Sequence, residues 1–455
     1  MDRYDLAIIG AGAGGEAAAH YAAGHGARVA IIDKDLFGGG CAFWQCMPSK
    51  ALLHAATLHR CGLDYAWPKA SAFRDYMINR QGIEYPDDSG HVRSLEKSGA
   101  TVIRGLARFT GPGRIEVRRD GTDPLEVEAK DIIVAVGSHS RVPSLPGLDE
   151  LEYWTNRQGT ATRELPDGMV ILGGGPSGVE LSQVYARYGV HVTIVHPRDR
   201  IHDREHPLSS KYLAEGLIRD GVMIRTGVRA VAVRPGAGTN GRHVVDISDG
   251  TTAEGAAILL TIGRDLPLDD LNLPAIGVEA KDGRVSSDDH LRIAPNVYVV
   301  GDVAGPELHT HTAHYQGEAA AMLVLGEDVT PDMSTIPRAT YTDPETASVG
   351  IMVDQAAERG IDATEFTGDI ATSAKGYVAE ASGHVTIVVD RATRILIGAF
   401  MAGPAVSEAI HEAVLAIKTK TSIDVLADTI HAFPTVARVF GTVCMQASRE
   451  LAPAG

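Results

Sequence analysis

Two stretches of this chain share one pattern: an apolar strand, a Gly-x-Gly-x-x-Gly turn, a helix and a second apolar strand. In the first, residues 4–9 (Tyr-Asp-Leu-Ala-Ile-Ile) run into Gly10, Gly12 and Gly15. An Ala-rich helical stretch over residues 16–25 follows, and the strand at 29–32 ends at Asp33. In the second, Met169–Leu172 runs into Gly173, Gly175 and Gly178. A helix continues to about Tyr188, and the strand over 190–195 ends at His196. In both, the residue closing the second strand stands 23 positions after the first glycine. Such a turn lets backbone approach a pyrophosphate, which then sits on the helix N-terminus. One glycine-rich turn is weak evidence. A strand, a helix and a fixed spacing repeated twice predict two Rossmann-like dinucleotide-binding domains in an α/β chain.

The residues closing the two units differ. Asp33 is placed to accept from ribose hydroxyls. His196 lacks that charge and is followed by Pro197, Arg198, Asp199 and Arg200. An acid in this position repels a ribose 2′-phosphate, whereas Arg or a protonated His tolerates or binds one. The second unit is therefore expected to prefer NADPH, with NADH possible.

Weaker patterns fill the rest. Residues 100–130 alternate apolar and polar around Gly-Pro-Gly turns, as short antiparallel strands do. Strands ending in glycine are expected over 131–137 and at 297–302, the latter followed by a helix from about Thr312. From Pro337 the texture becomes α+β, with strands at 383–389 and 394–401 before a helix over 405–418. The stretch 233–243 reads as an exposed hairpin turn.

The balance of 42 Lys+Arg against 58 Asp+Glu, a net charge of −16, argues against a nucleic-acid surface, which needs a basic stripe. No apolar run reaches the ~18 residues of a membrane span, and the acidic start before the first glycine turn does not read as a signal peptide. A cytoplasmic location without membrane or nucleic-acid partners is expected.

Four cysteines are too few for a disulfide scaffold. Cys41 and Cys46 follow the first unit directly, in Gly38-Gly-Gly-Cys41-Ala-Phe-Trp-Gln-Cys46-Met-Pro-Ser-Lys50. On a helical start this spacing sets the sulfurs about one turn apart, within bridging reach, and a helix N-terminus lowers a thiol pKa. A redox pair fits this context. Free thiols or metal ligands are the alternatives, and with no second Cys pair or His cluster nearby no metal site is expected. Cys61 and Cys444 have no such context.

These residues resemble the flavoprotein disulfide reductases (class I pyridine nucleotide-disulfide oxidoreductases, with dihydrolipoamide dehydrogenase, glutathione reductase and mercuric reductase), over nearly the whole chain. The resemblance implies FAD on Gly10, Gly12, Gly15 and Asp33, with Gly137, Gly301, Asp302 and Lys50 completing its site. It implies NAD(P)H on Gly173, Gly175, Gly178 and Glu180, with His196, Arg198 and Arg200 at the ribose. Cys41 and Cys46 match the redox-active disulfide, Cys46 next to the flavin and Cys41 facing substrate. Glu180 matches the acid that pairs with Lys50. Val136-Gly137-Ser138 departs from the family's Ala-Thr-Gly-Ser by Val for Thr. Residues 341–350 resemble the start of the family's dimerisation domain. The implied organisation is FAD-binding over 1–150 and 271–336, NAD(P)H-binding over 151–270 and an interface domain over 337–455, in a homodimer whose active sites combine both subunits.

The chain departs from the family near its C-terminus. Relatives carry His-Pro-Thr with a Glu five residues after the His, the acid–base pair of disulfide exchange. Here the segment reads His431-Ala-Phe433-Pro434-Thr435-Val-Ala-Arg438, so Phe433 replaces the His and Arg438 replaces the Glu. Arg438 cannot act as a general acid because it stays protonated. His431 is the nearest titratable substitute. The aromatic replacement resembles the branch typified by 2-oxopropyl-coenzyme M reductase/carboxylase, where a carbanion is kept from protons. Gly40 replaces the usual Thr, Gln45 the usual Gly, and Pro176 stands where relatives place an aromatic lid. The sequence therefore points to an FAD- and NADPH-dependent enzyme acting on an unusual sulfur substrate, by C–S cleavage or a specialised thiol–disulfide step. The alternatives are a conventional low-molecular-weight disulfide reductase, a metal-ion or quinone reductase, and a lipoamide-type complex component.

Overall fold

The computed structural model describes residues 2–80, 82, 85–119, 121–305 and 307–452. The first sheet is built on parallel strands in the order Val297–Val299, Leu125–Val134, Asp2–Ile9, Val29–Asp33, Thr101–Arg104. Arg292–Ala294 adds an antiparallel edge, and the hairpin of Leu106–Gly111 with Arg114–Arg118 pairs onto Leu125–Val134. The chain thus leaves this sheet after residue 134 and returns to it at 292. Continuous apolar strands buried on both faces explain why Leu6, Ile8, Ile31 and Ile133 are all solvent-free.

Helices Ala13–Gly24 and Thr310–Val324 cross on one face of this sheet at glycines. A Cβ on Gly317 would sit 2.2 Å from the Gly14 carbonyl oxygen, so only glycine allows this approach. The crossing fixes where Thr310, the first residue of the second helix, points.

The second sheet is parallel, in the order Met223–Arg225, Val192–Val195, Met169–Leu172, Ala257–Leu260. A three-stranded antiparallel layer, Ala230–Arg234, His243–Ile247 and Thr252–Gly255, lies beside it, with the expected turn at 239–241. The strand expected from 190 begins at Val192. Gly189 takes φ +82° and the Val190 N–H donates to the Tyr185 carbonyl, so both residues belong to the helix's exit.

The third sheet is antiparallel, in the order Arg338–Thr340, Glu345–Gly350, Leu396–Gly403, His384–Asp390, Ala363–Asp369. Helices Val406–Lys418 and Val436–Glu450 cover its apolar face around Ile387, Met401 and Phe440. Its other face is polar. There His384 shares a 2.9 Å hydrogen bond with Ser209 on the helix Pro207–Arg219, and His202 contacts Thr346 at 3.1 Å. This seam ties the third sheet to the second, and nothing in the local sequence announces it. The architecture is α/β, with two dinucleotide-type sheets followed by an α+β unit. Among the described residues no helix is long and apolar enough to cross a membrane.

Candidate active site

Cys41 and Cys46 do not share a helix, contrary to the sequence expectation. Cys41 lies in a five-residue helix, Gly39–Phe43, and Cys46 opens a new one, Cys46–Arg60. The break falls at Trp44 and Gln45. Trp44 is buried against Tyr85, and Gln45 leaves helical geometry with φ −129° and ψ −94°. The Gln45 amide folds back over Gly40, so that a Cβ at Gly40 would lie 2.9 Å from Gln45 Nε2. The two departures from the family loop are therefore one exchange: the side chain absent at 40 makes room for the one present at 45.

Both cysteines are thiols in this structure. Hydrogen bonding from the Cys41 thiol pulls Cys46 down to about 6, helped by Thr310 and the Lys50 ammonium, against the burial that pushes it up. Cys41 moves the other way, raised by that same hydrogen bond and then by burial. Thr310 Oγ1 stands 3.2 Å from Cys46 Sγ. Position one of a 15-residue helix adds a favourable dipole. The pair is thus poised as a Cys46 thiolate held by a protonated Cys41.

Lys50 is one turn along the same helix. Its Nζ sits 2.8 and 3.0 Å from the two Glu180 oxygens, and Glu180 also accepts the Tyr341 N–H at 3.1 Å. Burial drags the Lys50 ammonium down, but the Glu180 carboxylate outweighs it and the net displacement is upward. Lys50 also lies 4.7 Å over the Tyr341 ring. Residues from three distant segments therefore converge on one charged pair. Thr310 and Tyr341 escaped the sequence reading. Their only local signals are a place just after Gly301-Asp302 and at the start of the C-terminal unit. Also unforeseen is an imidazole–carboxylate contact just before Thr310, His309 to Glu307 at 3.2 Å, with His311 stacked on His309 at 5.1 Å.

The two glycine turns have the same construction. Gly10 takes φ +105°, and a Cβ there would strike the Ala135 oxygen at 2.3 Å; Gly173 takes φ +110° with Thr261 oxygen at 2.4 Å. Gly15 and Gly178 pack their Cα against the turns' own carbonyls. Gly12 and Gly175 cap the helices Ala13–Gly24 and Pro176–Arg187 with no side-chain hydrogen bond, which leaves first-turn N–H groups for an anion. Asp33 accepts from Ala11 N–H at 2.6 Å and Asp35 N–H at 2.8 Å. Burial raises its pKa and these bonds pull it back. An open cleft of about 410 Å³ adjoins Gly10, Asp33 and Val136. Asp302 accepts from Ser138 Oγ and faces Arg264 at 3.3 Å; Gly301 N–H donates to Gln316 at 2.8 Å, and Gly137 takes φ +64°.

His196 takes the place of Asp33. Its Nδ1 accepts the Gly174 N–H at 3.0 Å, so Nε2 carries the proton and donates to Asp203 at 3.2 Å. Arg200 is folded back onto the carbonyls of Asp203 and Glu205. Arg198 is exposed, 3.9 Å from Asp203. Of the three residues grouped by sequence, only Arg198 extends into solvent. Pro176 is exposed at the first position of its helix.

The C-terminal segment lies elsewhere on the chain. Phe433 is 75% exposed. Arg438 donates its backbone N–H to Thr435 Oγ1, and among the described residues its guanidinium has no hydrogen bond or ion pair. The two line one groove of about 760 Å³. His431 is enclosed: its side chain is 4% exposed, Nε2–H donates to Glu412 at 2.8 Å, and the ring presses on Gly441. Its Nδ1 is buried without a partner. An imidazole so held has no open path to a substrate in this subunit. Among the described residues no group of three or more His, Cys, Asp or Glu could hold a metal ion.

Residues 4–317 match the sequence model of the pyridine nucleotide-disulphide oxidoreductases, and residues 336–444 match that of their dimerisation domain. The chain belongs to this family. Among curated relatives, it is 34% identical over 456 residues to a dihydrolipoyl dehydrogenase of Halobacterium salinarum, covering 95% of this chain and 94% of that one. It is 33% identical over 461 residues to a dihydrolipoyl dehydrogenase of Mycobacterium leprae, covering 96% of each. Among solved structures, LpdA from Mycobacterium tuberculosis superposes with a TM-score of 0.86 at 26% identity, over 98% of this chain and 99% of the other. The flavoprotein disulfide reductase RclA from Escherichia coli superposes equally well, with a TM-score of 0.86, and at 24% identity it shares the fold.

Pyridine nucleotide-disulphide oxidoreductases bind FAD and NAD(P)H, and this chain fits the first. The Gly10 turn and Asp33 line one cleft, and the uncapped N-terminus of helix Ala13–Gly24 follows that turn, a cradle of the kind a dinucleotide needs. The resemblance to the 2-oxopropyl-coenzyme M branch rests on Phe433 alone, and the two curated relatives named above are dihydrolipoyl dehydrogenases instead.

Proposed function

We propose that this FAD-dependent oxidoreductase passes electrons from NAD(P)H through Cys41 and Cys46 to a small-molecule disulfide, as a homodimer in which one copy's Phe433 segment faces the other's cysteines. The observation that carries this is the Cys46 thiolate, held near pKa 6 between Cys41, Thr310 and Lys50. Bound in its cradle, FAD supplies the two-electron transfer between nicotinamide and sulfur. The Lys50–Glu180 pair fixes a positive charge beside that site.

The chain's own steps are thiol–disulfide exchange. Cys41 gives its proton to the Cys46 thiolate and attacks one substrate sulfur; a mixed disulfide forms, and the first leaving thiolate takes that proton from Cys46. Cys46 then attacks the Cys41 sulfur, the internal disulfide forms and the second thiolate leaves. Two electrons pass to substrate, and the second leaving thiolate takes a proton from water or an acid. The names of the relatives support a dithiolane of the lipoyl kind as the leading substrate. Exposed Arg198 supports NADPH as the preferred nucleotide.

A second reading is favoured by one observation. An exposed aromatic ring at 433 and a cation at 438 leave no imidazole at the expected proton donor. A thioether, whose first leaving group is a carbanion to be kept from protons, and acceptors that release no thiolate, a quinone or a metal ion, suit such a site.

The test is anaerobic NADPH and NADH consumption by the FAD-loaded dimer with lipoamide, for the parent and Cys46→Ser. Disulfide-dependent turnover that falls to background in the variant supports the proposal. Turnover with quinones or metal ions that survives Cys46→Ser, without disulfide reduction by the parent, overturns it.

A further inference from the structure

The groove beside Phe433 runs between residues 368–375 and the first turns of helix Val436–Glu450, with about 760 Å³ of space. Lys375 and Arg438 both line it, and both are half-buried. Neither has an ion pair or a side-chain hydrogen bond among the described residues. Several other enclosed arginines are paired. Arg187 holds two carboxylates, Arg338 clasps Glu205 and Arg394 clasps Asp424. The one carboxylate lining the groove, Asp369, is engaged by the Ala371 N–H at 2.8 Å. The hydroxyls of Thr372 and Thr442 and the amide of Gln446 add neutral hydrogen-bonding groups, and the Phe433 ring forms an apolar wall. Two like charges half-buried in one groove, where the lining carboxylate is exposed and accepts from backbone, attract a further anion that completes the set.

We infer that this groove takes a carboxylate on the substrate. Arg438 binds it in the bidentate geometry that a guanidinium offers and an ammonium does not. Lys375 adds charge from the opposite wall, and Phe433 covers the aliphatic part of the molecule. The substrate class is then a small disulfide bearing a free carboxylate rather than an amide. This rests on the reading above, in which the segment of one copy faces the cysteines of the other. It also assigns Arg438 a role that replaces, rather than imitates, the acid its relatives carry there.

Lipoate and lipoamide test it, because they share one dithiolane ring and differ only in carboxylate against amide. For the FAD-loaded dimer we expect kcat/KM for lipoate to exceed that for lipoamide by about tenfold or more at low ionic strength, mostly through KM. The ratio shrinks as salt screens the pair. In Arg438→Gln the ratio falls to about one, in Arg438→Glu below one, and Arg438→Lys restores part of it; Lys375→Gln gives an intermediate loss. A parent ratio near one, or a ratio that Arg438→Gln leaves intact, overturns the inference while leaving disulfide reduction standing. If the parent reduces neither compound although NADPH reduces its cysteines, the disulfide reading itself fails and this inference falls with it. Bound FAD and dimer mass, measured on each variant, separate misfolding from lost recognition.

Discussion

Around Cys46 every charge is answered from a different segment: Lys50 by Glu180, Glu180 by the Tyr341 N–H, and the sulfur by Thr310. Around Phe433 the opposite holds, with an exposed ring, an unpaired guanidinium and an imidazole shut away on Glu412. In the proposed function the first region stores and passes electrons, a task set by sulfur geometry and charge, so its parts constrain one another. The second would meet the substrate and its protons. Phe433 and the Arg438 guanidinium touch little else among the described residues, so they are free to change without unsettling the fold. The difference teaches that the cysteine region is interlocked by its own contacts, whereas the Phe433 surface is open to exchange.

The comparison breaks most visibly if the second region can be made to resemble its relatives. With lipoamide as the disulfide, Phe433→His should raise kcat about tenfold, and adding Arg438→Glu to orient the ring should bring the gain toward ~10², the usual reach of a general acid. Steady-state anaerobic assays read this. No gain would mean that protons already arrive by another route, with the His309–Glu307 contact the first to remove.

In the first region the charges should act on the thiolate in opposite directions. A depressed thiol pKa means that thiolate is present above about 6 and lost as pH falls through it. Lys50→Leu removes a lowering influence and should move that midpoint up by about one unit. Glu180→Gln removes a raising influence and should move it down. The pH dependence of iodoacetamide alkylation of the reduced protein reports both. Shifts of the same sign would show that the pair acts through position rather than charge.

The smallest loss of stability is expected at Thr310. Thr310→Val deletes one hydrogen bond to Cys46, a lowering influence ahead of the Lys50 charge, and should raise the same midpoint at least as far as Lys50→Leu. A shift much smaller than that of Lys50→Leu would place the ammonium, not the hydroxyl, at the centre of the electrostatics.

Legibility followed sequence distance. The glycine turns, the cysteine spacing and the C-terminal replacements could be read because each lies within one short window. Lys50 with Glu180 spans 130 positions and came only through resemblance. Gly40 and Gln45 read as two unrelated departures, and the folded loop shows a single exchange of volume. His431 looked like a spare acid until its packing against Gly441 and Glu412 was seen. His196 stood as a candidate phosphate ligand, whereas its ring closes the turn by accepting the Gly174 N–H.

By itself the sequence determined the two dinucleotide units and the close cysteine spacing, and resemblance added the replacement of the family's acid–base couple. Glycine's access to positive φ, strand and helix periodicity and side-chain chemistry all act over a few residues. Only the tertiary structure decided which groups tune Cys46, which histidine is enclosed and where unpaired cations share a cavity. Those outcomes depend on how closely distant backbones approach, as at Gly14 and Gly317, and burial then sets the value of every charge brought there.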